Sequence, residues 1–148
     1  MLDFYVDTAR VAMENIKKAF ATPFGVFVYS AATGMMGVII LLFFFSMLFS
    51  GSTLAMTLPL ILSFNAATCG YGIVDKGGPD FPHLTLGLFI ISLLLIITGY
   101  FAFVLLVPWE SSGRTTLWLI SGALVFLFSF FGAWIARNNK KLQNKSQS

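Results

Sequence analysis

Four stretches of this chain, about residues 24–49, 53–74, 84–107 and 116–136, contain no Asp, Glu, Lys, Arg or His. Crossing a hydrocarbon core of ~30 Å takes about 20 helical residues, and each stretch is at least that long. Backbone amides in lipid must be satisfied within their own segment, so runs of this kind fold as helices or not at all. Only 10% of the chain is charged and 57% is hydrophobic, whereas soluble domains carry about 25% charge. The expectation is an all-α integral membrane protein: four transmembrane helices preceded by an N-terminal amphipathic interfacial helix.

The amphipathic helix is read from residues 1–22. Leu2, Tyr5, Val6, Ala9, Ala12, Met13, Ile16 and Phe20 recur at three- and four-residue steps, with Asp3, Asp7, Arg10, Glu14, Lys17 and Lys18 opposite them. Three acids before the first apolar run, and the length of that run, argue against a secretory signal. Pro23 separates this helix from a four-helix transmembrane domain spanning 23–136. Gly51 and Ser52 are expected to form a tight turn after the first span. Residues 75–83, rich in Gly, Pro and charge, are expected to be a loop, and Pro108 is expected to close the third span. A short polar connection over 109–115 leads to the fourth. The basic polar tail 137–148 is expected to be disordered beyond its first few residues.

Four spans return the chain to the side on which it started. Arg10, Lys17, Lys18, Lys76, Arg137, Lys140, Lys141 and Lys145 fall on the side of the termini, and Arg114 on the other. The positive-inside rule then places both termini on the cytoplasmic side or its topological equivalent. Arg10, Lys17, Lys18, Arg137, Lys140 and Lys141 are the expected membrane-surface residues. Such a distribution, at a net charge of +3, answers to anionic headgroups rather than to nucleic acid.

Within this grease one stretch, Phe64-Asn-Ala-Ala-Thr-Cys-Gly-Tyr-Gly72, is small and partly polar. Helices associate in lipid through close approach of small residues, so small-xxx-small spacings mark seams. Ser30/Gly34, Thr33/Gly37 and Ala66/Gly70 have that spacing, Ser63 and Ala67 adjoin the last, and Gly122, Ser129, Ala133 and Ala136 lie near one face of the fourth span. The third span has only the scattered Gly87, Ser92 and Gly99. Spans one, two and four are therefore expected to form the packed centre, with span three more open. Asn65 is expected to bond across the seam to Ser30 or Thr33. The competing reading makes Asn65, Thr68 and Cys69 the lining of a polar path.

Chemistry is sparse. Ion-coupled carriers and proton relays place ionisable groups at membrane depth, and none occurs in these spans. A bis-histidine haem needs two histidines, and there is only His83, in a loop beside Asp80, where a turn accounts for it as well as a metal does. One cysteine forms no intrachain disulfide. Gly77-Gly78 is a turn dipeptide, not a phosphate loop. Trp109, Trp118 and Trp134 lie near expected interfaces, where tryptophan anchors. No catalytic, cofactor-binding or metal-binding residue is assigned, and the chain is not expected to be an enzyme. Its expected partners are the lipid bilayer and either other integral membrane subunits or copies of itself. The leading expectation is a non-catalytic accessory or structural subunit of a larger membrane complex. The alternative is a homo-oligomeric pore lined by Ser63, Asn65 and Thr68.

Overall fold

A computed structural model describes residues 2–49, 51–78, 80–106 and 114–146. They form five helices: α1 (Leu2–Phe20), α2 (Pro23–Leu48), α3 (Gly51–Gly77), α4 (Leu84–Leu106) and α5 (Arg114–Ser146). The last four are long and apolar enough to cross a membrane, which fits a multi-pass membrane protein.

Local chemistry sets the element boundaries. Thr22 both ends α1 and starts α2: its hydroxyl donates to the Ala19 carbonyl at 2.6 Å and accepts from the Gly25 amide at 3.1 Å. Pro23 follows at the first helical position, where its missing N–H costs nothing. Gly51 and Ser52, expected as a turn, are instead the first residues of α3, and the reversal comes earlier, where Phe49 takes an extended conformation at the end of α2. Asp75 and Lys76, expected in the following loop, belong to the last turn of α3. That helix stops at Gly78, whose left-handed φ of +89° suits glycine and whose amide donates to the Val74 carbonyl at 3.0 Å. Across the loop His83 also adopts a left-handed φ, 53°, and its carbonyl accepts from Gly87 at the start of α4. Pro108 and residues 109–113 lie outside the described residues.

The tail differs most from expectation. Residues 137–146 continue α5 as helix. A helix already nucleated extends at little cost per residue, and Lys140 ties this extension to the rest of the protein. Its ammonium donates to the Val74 carbonyl at 2.9 Å and to that of Asp75 at 2.5 Å. Those carbonyls belong to the C-terminal turn of α3, where the helix dipole favours a cation.

The connections after α2 and α3 are too short to span helices that are each more than 30 Å long, so α3 runs antiparallel to α2 and α4 antiparallel to α3. α3 touches α2, α4 and α5, whereas α2 and α5 flank it and do not meet among the described residues. Over its most apolar 18-residue window α3 is 56% buried, α2 only 22%, and α4 and α5 each 33%. The expected seams of span two with spans one and four are present, with α3 the helix they share; what is corrected is the openness of span three, since α4 is no more open than α5 and less so than α2. The physical reason is that burial here is not confined to small residues. α4 inserts Leu88, Ile91, Leu95 and Phe103, at helical spacing, between its neighbours. Its Gly99 receives Leu62 so closely that a Cβ there would stand 2.7 Å from Leu62 Cδ2. The seam of α2 occupies one narrow stripe, and Met36, Ile40, Phe43, Phe44 and Met47 point outward.

Candidate functional site

The polar stretch of α3 sits at the middle of the bundle, and each of its small or polar residues meets something definite. Asn65 is 5% exposed. Its amide Nδ2 donates to the Ile61 carbonyl, one turn earlier on its own helix, at 2.8 Å. The other end of the amide, Oδ1, occupies the space above Gly37 that any side chain on α2 at that position would fill. The expected bond from Asn65 to Ser30 or Thr33 is therefore replaced by a bond within α3 and a knob-into-glycine contact across the seam. Thr33 is exposed, and its hydroxyl donates to the Tyr29 carbonyl at 2.8 Å. Hydroxyl and amide groups in a helix reach their own i−4 carbonyl at little entropic cost, which is why the intrahelical partner wins.

Cys69 makes the cross-helix bond. Its thiol donates to the Ser30 carbonyl of α2 at 3.1 Å, and its sulfur lies over Gly34, where a Cβ would overlap it and come within 3.1 Å of Leu95 Cδ2. The Ser30 hydroxyl is buried without a hydrogen-bond partner among the described residues, and Gly72 faces it: a Cβ there would lie 3.2 Å from the oxygen. The closest approach is between α3 and α5. A Cβ on Gly70 would collide with the backbone carbonyl of Ser129 and lie 3.2 Å from the Ala133 amide nitrogen, while a Cβ on Gly132 would collide with the carbonyl of Ala67. Ala66 is fully buried beside them. Gly132 was missed by the sequence reading, although it stands four residues before Ala136. Gly122, grouped with the seam on sequence, meets only Ile96 of α4 at an ordinary 3.7 Å.

The remaining polar side chains are turned to their own helices. Ser63, 3% exposed, donates to the Pro59 carbonyl at 2.6 Å. Thr68 donates to the Asn65 carbonyl at 2.8 Å and is exposed. Ser63 and Asn65 thus face the interior of one chain and Thr68 faces out, so the three do not share one surface. Between α4 and α5 the Ser92 and Ser129 hydroxyls lie 3.2 Å apart. Each is turned to its own helix, Ser92 donating to the Leu88 carbonyl at 2.8 Å and Ser129 to the Phe126 carbonyl at 2.8 Å, so the longer Ser92–Ser129 approach competes with the Leu88 bond for the single Ser92 proton. Trp118 turns inward against Tyr100 and Phe103, with its indole N–H buried and without a partner among the described residues. Trp134 is exposed and stacks on Phe131, and Trp109 lies outside the described residues.

Charge gathers at one end. Arg10, Lys17, Lys18, Arg137 and Lys141 are exposed, Lys140 caps α3, and the Lys76 ammonium stands 3.3 Å from the centroid of the Tyr29 ring. Among the described residues no group of three or more His, Cys, Asp or Glu side chains comes together to hold a metal. The arrangement packs helices: glycines of one face a side chain or backbone carbonyl of the next. No family model, curated protein or solved structure matches the chain.

Proposed function

We propose that this protein is a non-catalytic subunit of a larger membrane assembly, a compact helical body that packs beside other integral membrane chains. The observation that carries the reading is the fate of the polar stretch of α3. Asn65 rests on Gly37, Cys69 bonds the Ser30 carbonyl, and Gly70 abuts the backbone of α5. These groups are spent on holding α2, α3 and α5 together, and no ionisable side chain accompanies them in the four apolar runs. What the bundle then offers its surroundings is an apolar perimeter and a basic end.

In this reading α1 lies in the membrane interface, with its charged face toward water and headgroups. Both termini lie on the cytoplasmic side, where anionic lipid favours lysine and arginine. Lys17 of α1, Lys76 of α3 and Lys140 of α5 meet at one end of the bundle, as that topology requires.

The test is native mass spectrometry of the protein after gentle extraction from its own membrane. The expected result is a stoichiometric complex with at least one different integral membrane chain. A closed homo-oligomer, or a monomer binding only lipid, contradicts the proposal.

A further inference from the structure

At the basic end a cavity of about 470 Å³ opens where the last turn of α1, the first turns of α2 and the last turn of α3 converge, lined by Ile16, Lys17, Ala21, Val26, Tyr29 and Lys76. Its volume falls within the range usual for small-ligand sites, roughly 300–1,000 Å³. Two features distinguish it from the apolar grooves elsewhere on the bundle. It is lined by two lysines from different helices, and among the described residues neither is paired with a carboxylate. One of them is also held in place: the Lys76 ammonium is seated over the Tyr29 ring at 3.3 Å, a cation–π contact that fixes a side chain otherwise free to sweep through solvent. Ile16 and Val26 supply an apolar wall beside the charges.

Two lysines without a carboxylate partner, lining a partly apolar cavity at the end of a membrane-spanning bundle, select an oxygen-rich anion. Basic pockets between spanning helices on the cytoplasmic side are suited to phosphate headgroups, with aliphatic walls to receive the glycerol and the first methylenes. We propose that this corner binds an anionic phosphate, with Lys17 and Lys76 as its charge partners. The phosphate has two sources, the headgroup of an acidic phospholipid and free inorganic phosphate. The proposal concerns a surface separate from the α3 seam and stands whether or not the protein has subunit partners.

The test uses the full chain in mild detergent, titrated with short-chain phosphatidylglycerol, with phosphatidylcholine of the same chain length, and with inorganic phosphate. Each basic residue near a lipid surface is worth a factor of roughly five in affinity, so Lys17→Gln and Lys76→Gln are each expected to weaken anion binding about fivefold, and the double variant about thirtyfold. Lys76→Arg keeps the charge and the ring contact and is expected to restore binding. Arg114→Gln, at the opposite end of α5 from Lys140, is expected to leave it unchanged. Phosphatidylglycerol binding with this lysine dependence supports the proposal with lipid as the source. Inorganic phosphate binding with the same dependence supports it with the free ion as the source. The proposal is overturned if neither anion weakens in the double variant, if Arg114→Gln weakens binding as much, or if phosphatidylcholine binds as well as phosphatidylglycerol and inorganic phosphate does not bind. Lys17 is exposed on α1, so Lys17→Gln carries the test even where Lys76→Gln also lowers the melting temperature.

Discussion

Replacing Gly70 with alanine adds one methyl group, and the structure says where it goes: into the carbonyl of Ser129 on α5 and against the Ala133 amide. A clash with the tip of a flexible side chain relaxes by a rotamer change, but here the obstacle is helical backbone. Both helices are rigid along this seam, so relief requires α3 and α5 to part by roughly 1 Å, which forfeits a quarter to a half of the dispersion energy of every atom pair lining the gap. Overpacking of well-packed sites costs about 1–3 kcal/mol, and a backbone collision belongs at the upper end, near 3 kcal/mol. Against this stands the helix-propensity gain of alanine over glycine, about 1 kcal/mol. The net expectation is a loss of about 2 kcal/mol. Gly122→Ala is the internal control: its Cβ would meet only Ile96 at 3.7 Å, so the propensity gain is unopposed and the variant is expected to gain up to about 1 kcal/mol. The two variants make the same chemical change in helices of the same bundle and are expected to shift stability in opposite directions. Reversible unfolding of each in mixed detergent–lipid micelles, followed by circular dichroism, measures both. Equal shifts would refute the close approach of α3 and α5.

Other consequences of the packing are equally specific. Asn65→Leu should fold, because it removes the polar group that needed satisfying. Asn65→Asp should insert poorly, since a carboxylate between apolar helices costs several kcal/mol, and an insertion assay separates the two. Gly37→Ala should be destabilising alone and substantially rescued by Asn65→Ala, because the added methyl then enters the space that the amide has left; a double-mutant cycle by thermal unfolding with no coupling would sink the knob-into-glycine contact. Ser30→Ala should be neutral or stabilising by up to about 1 kcal/mol, as it deletes a buried hydroxyl that has no partner, and a loss above that range would show an unrecognised bond. Lys140→Met should speed hydrogen exchange of amides beyond Ala136 and in the last turn of α3, and unchanged exchange would mean that the Lys140 contacts hold neither helix end.

What was legible on the page of sequence were features enforced locally. The charge-free runs mark the spans because lipid excludes charge, and Thr22-Pro23 marks the start of α2 because a cap and a proline each act within one turn. Ser30, Thr33, Gly34, Gly37, Ala66 and Gly70 were singled out by spacing alone, and the structure brings Ser30 and the three glycines against side chains or backbone of a neighbouring helix, whereas Thr33 is exposed and bonds within its own helix. Which helix each one meets was not legible, since spacing along one helix says nothing about its partner. The burial of α4 was hidden for the same reason: its large residues Leu88, Ile91 and Leu95 are almost wholly buried, and in a greasy sequence they look like lipid-facing ones. Asn65 was expected to reach across because its intrahelical carbonyl was overlooked as a partner. The helical tail depends on Lys140 meeting carbonyls more than sixty residues earlier in the chain, a contact that composition does not encode.

The central claim is that the polar stretch of α3 is a dry packing seam, and the chain carries its own probe of that claim. Cys69 is the single cysteine, it is 2% exposed, and its thiol is held against the Ser30 carbonyl in the middle of the stretch. The measurement is labelling of the unmodified protein, reconstituted in lipid bilayers, with a small charged, membrane-impermeant thiol reagent applied from both sides. The account predicts no labelling until the protein is unfolded in denaturing detergent, after which Cys69 should react to completion. Rapid labelling in the intact bilayer would place water beside Cys69, contradict the dry seam, and turn the reading from a packing subunit toward a pore.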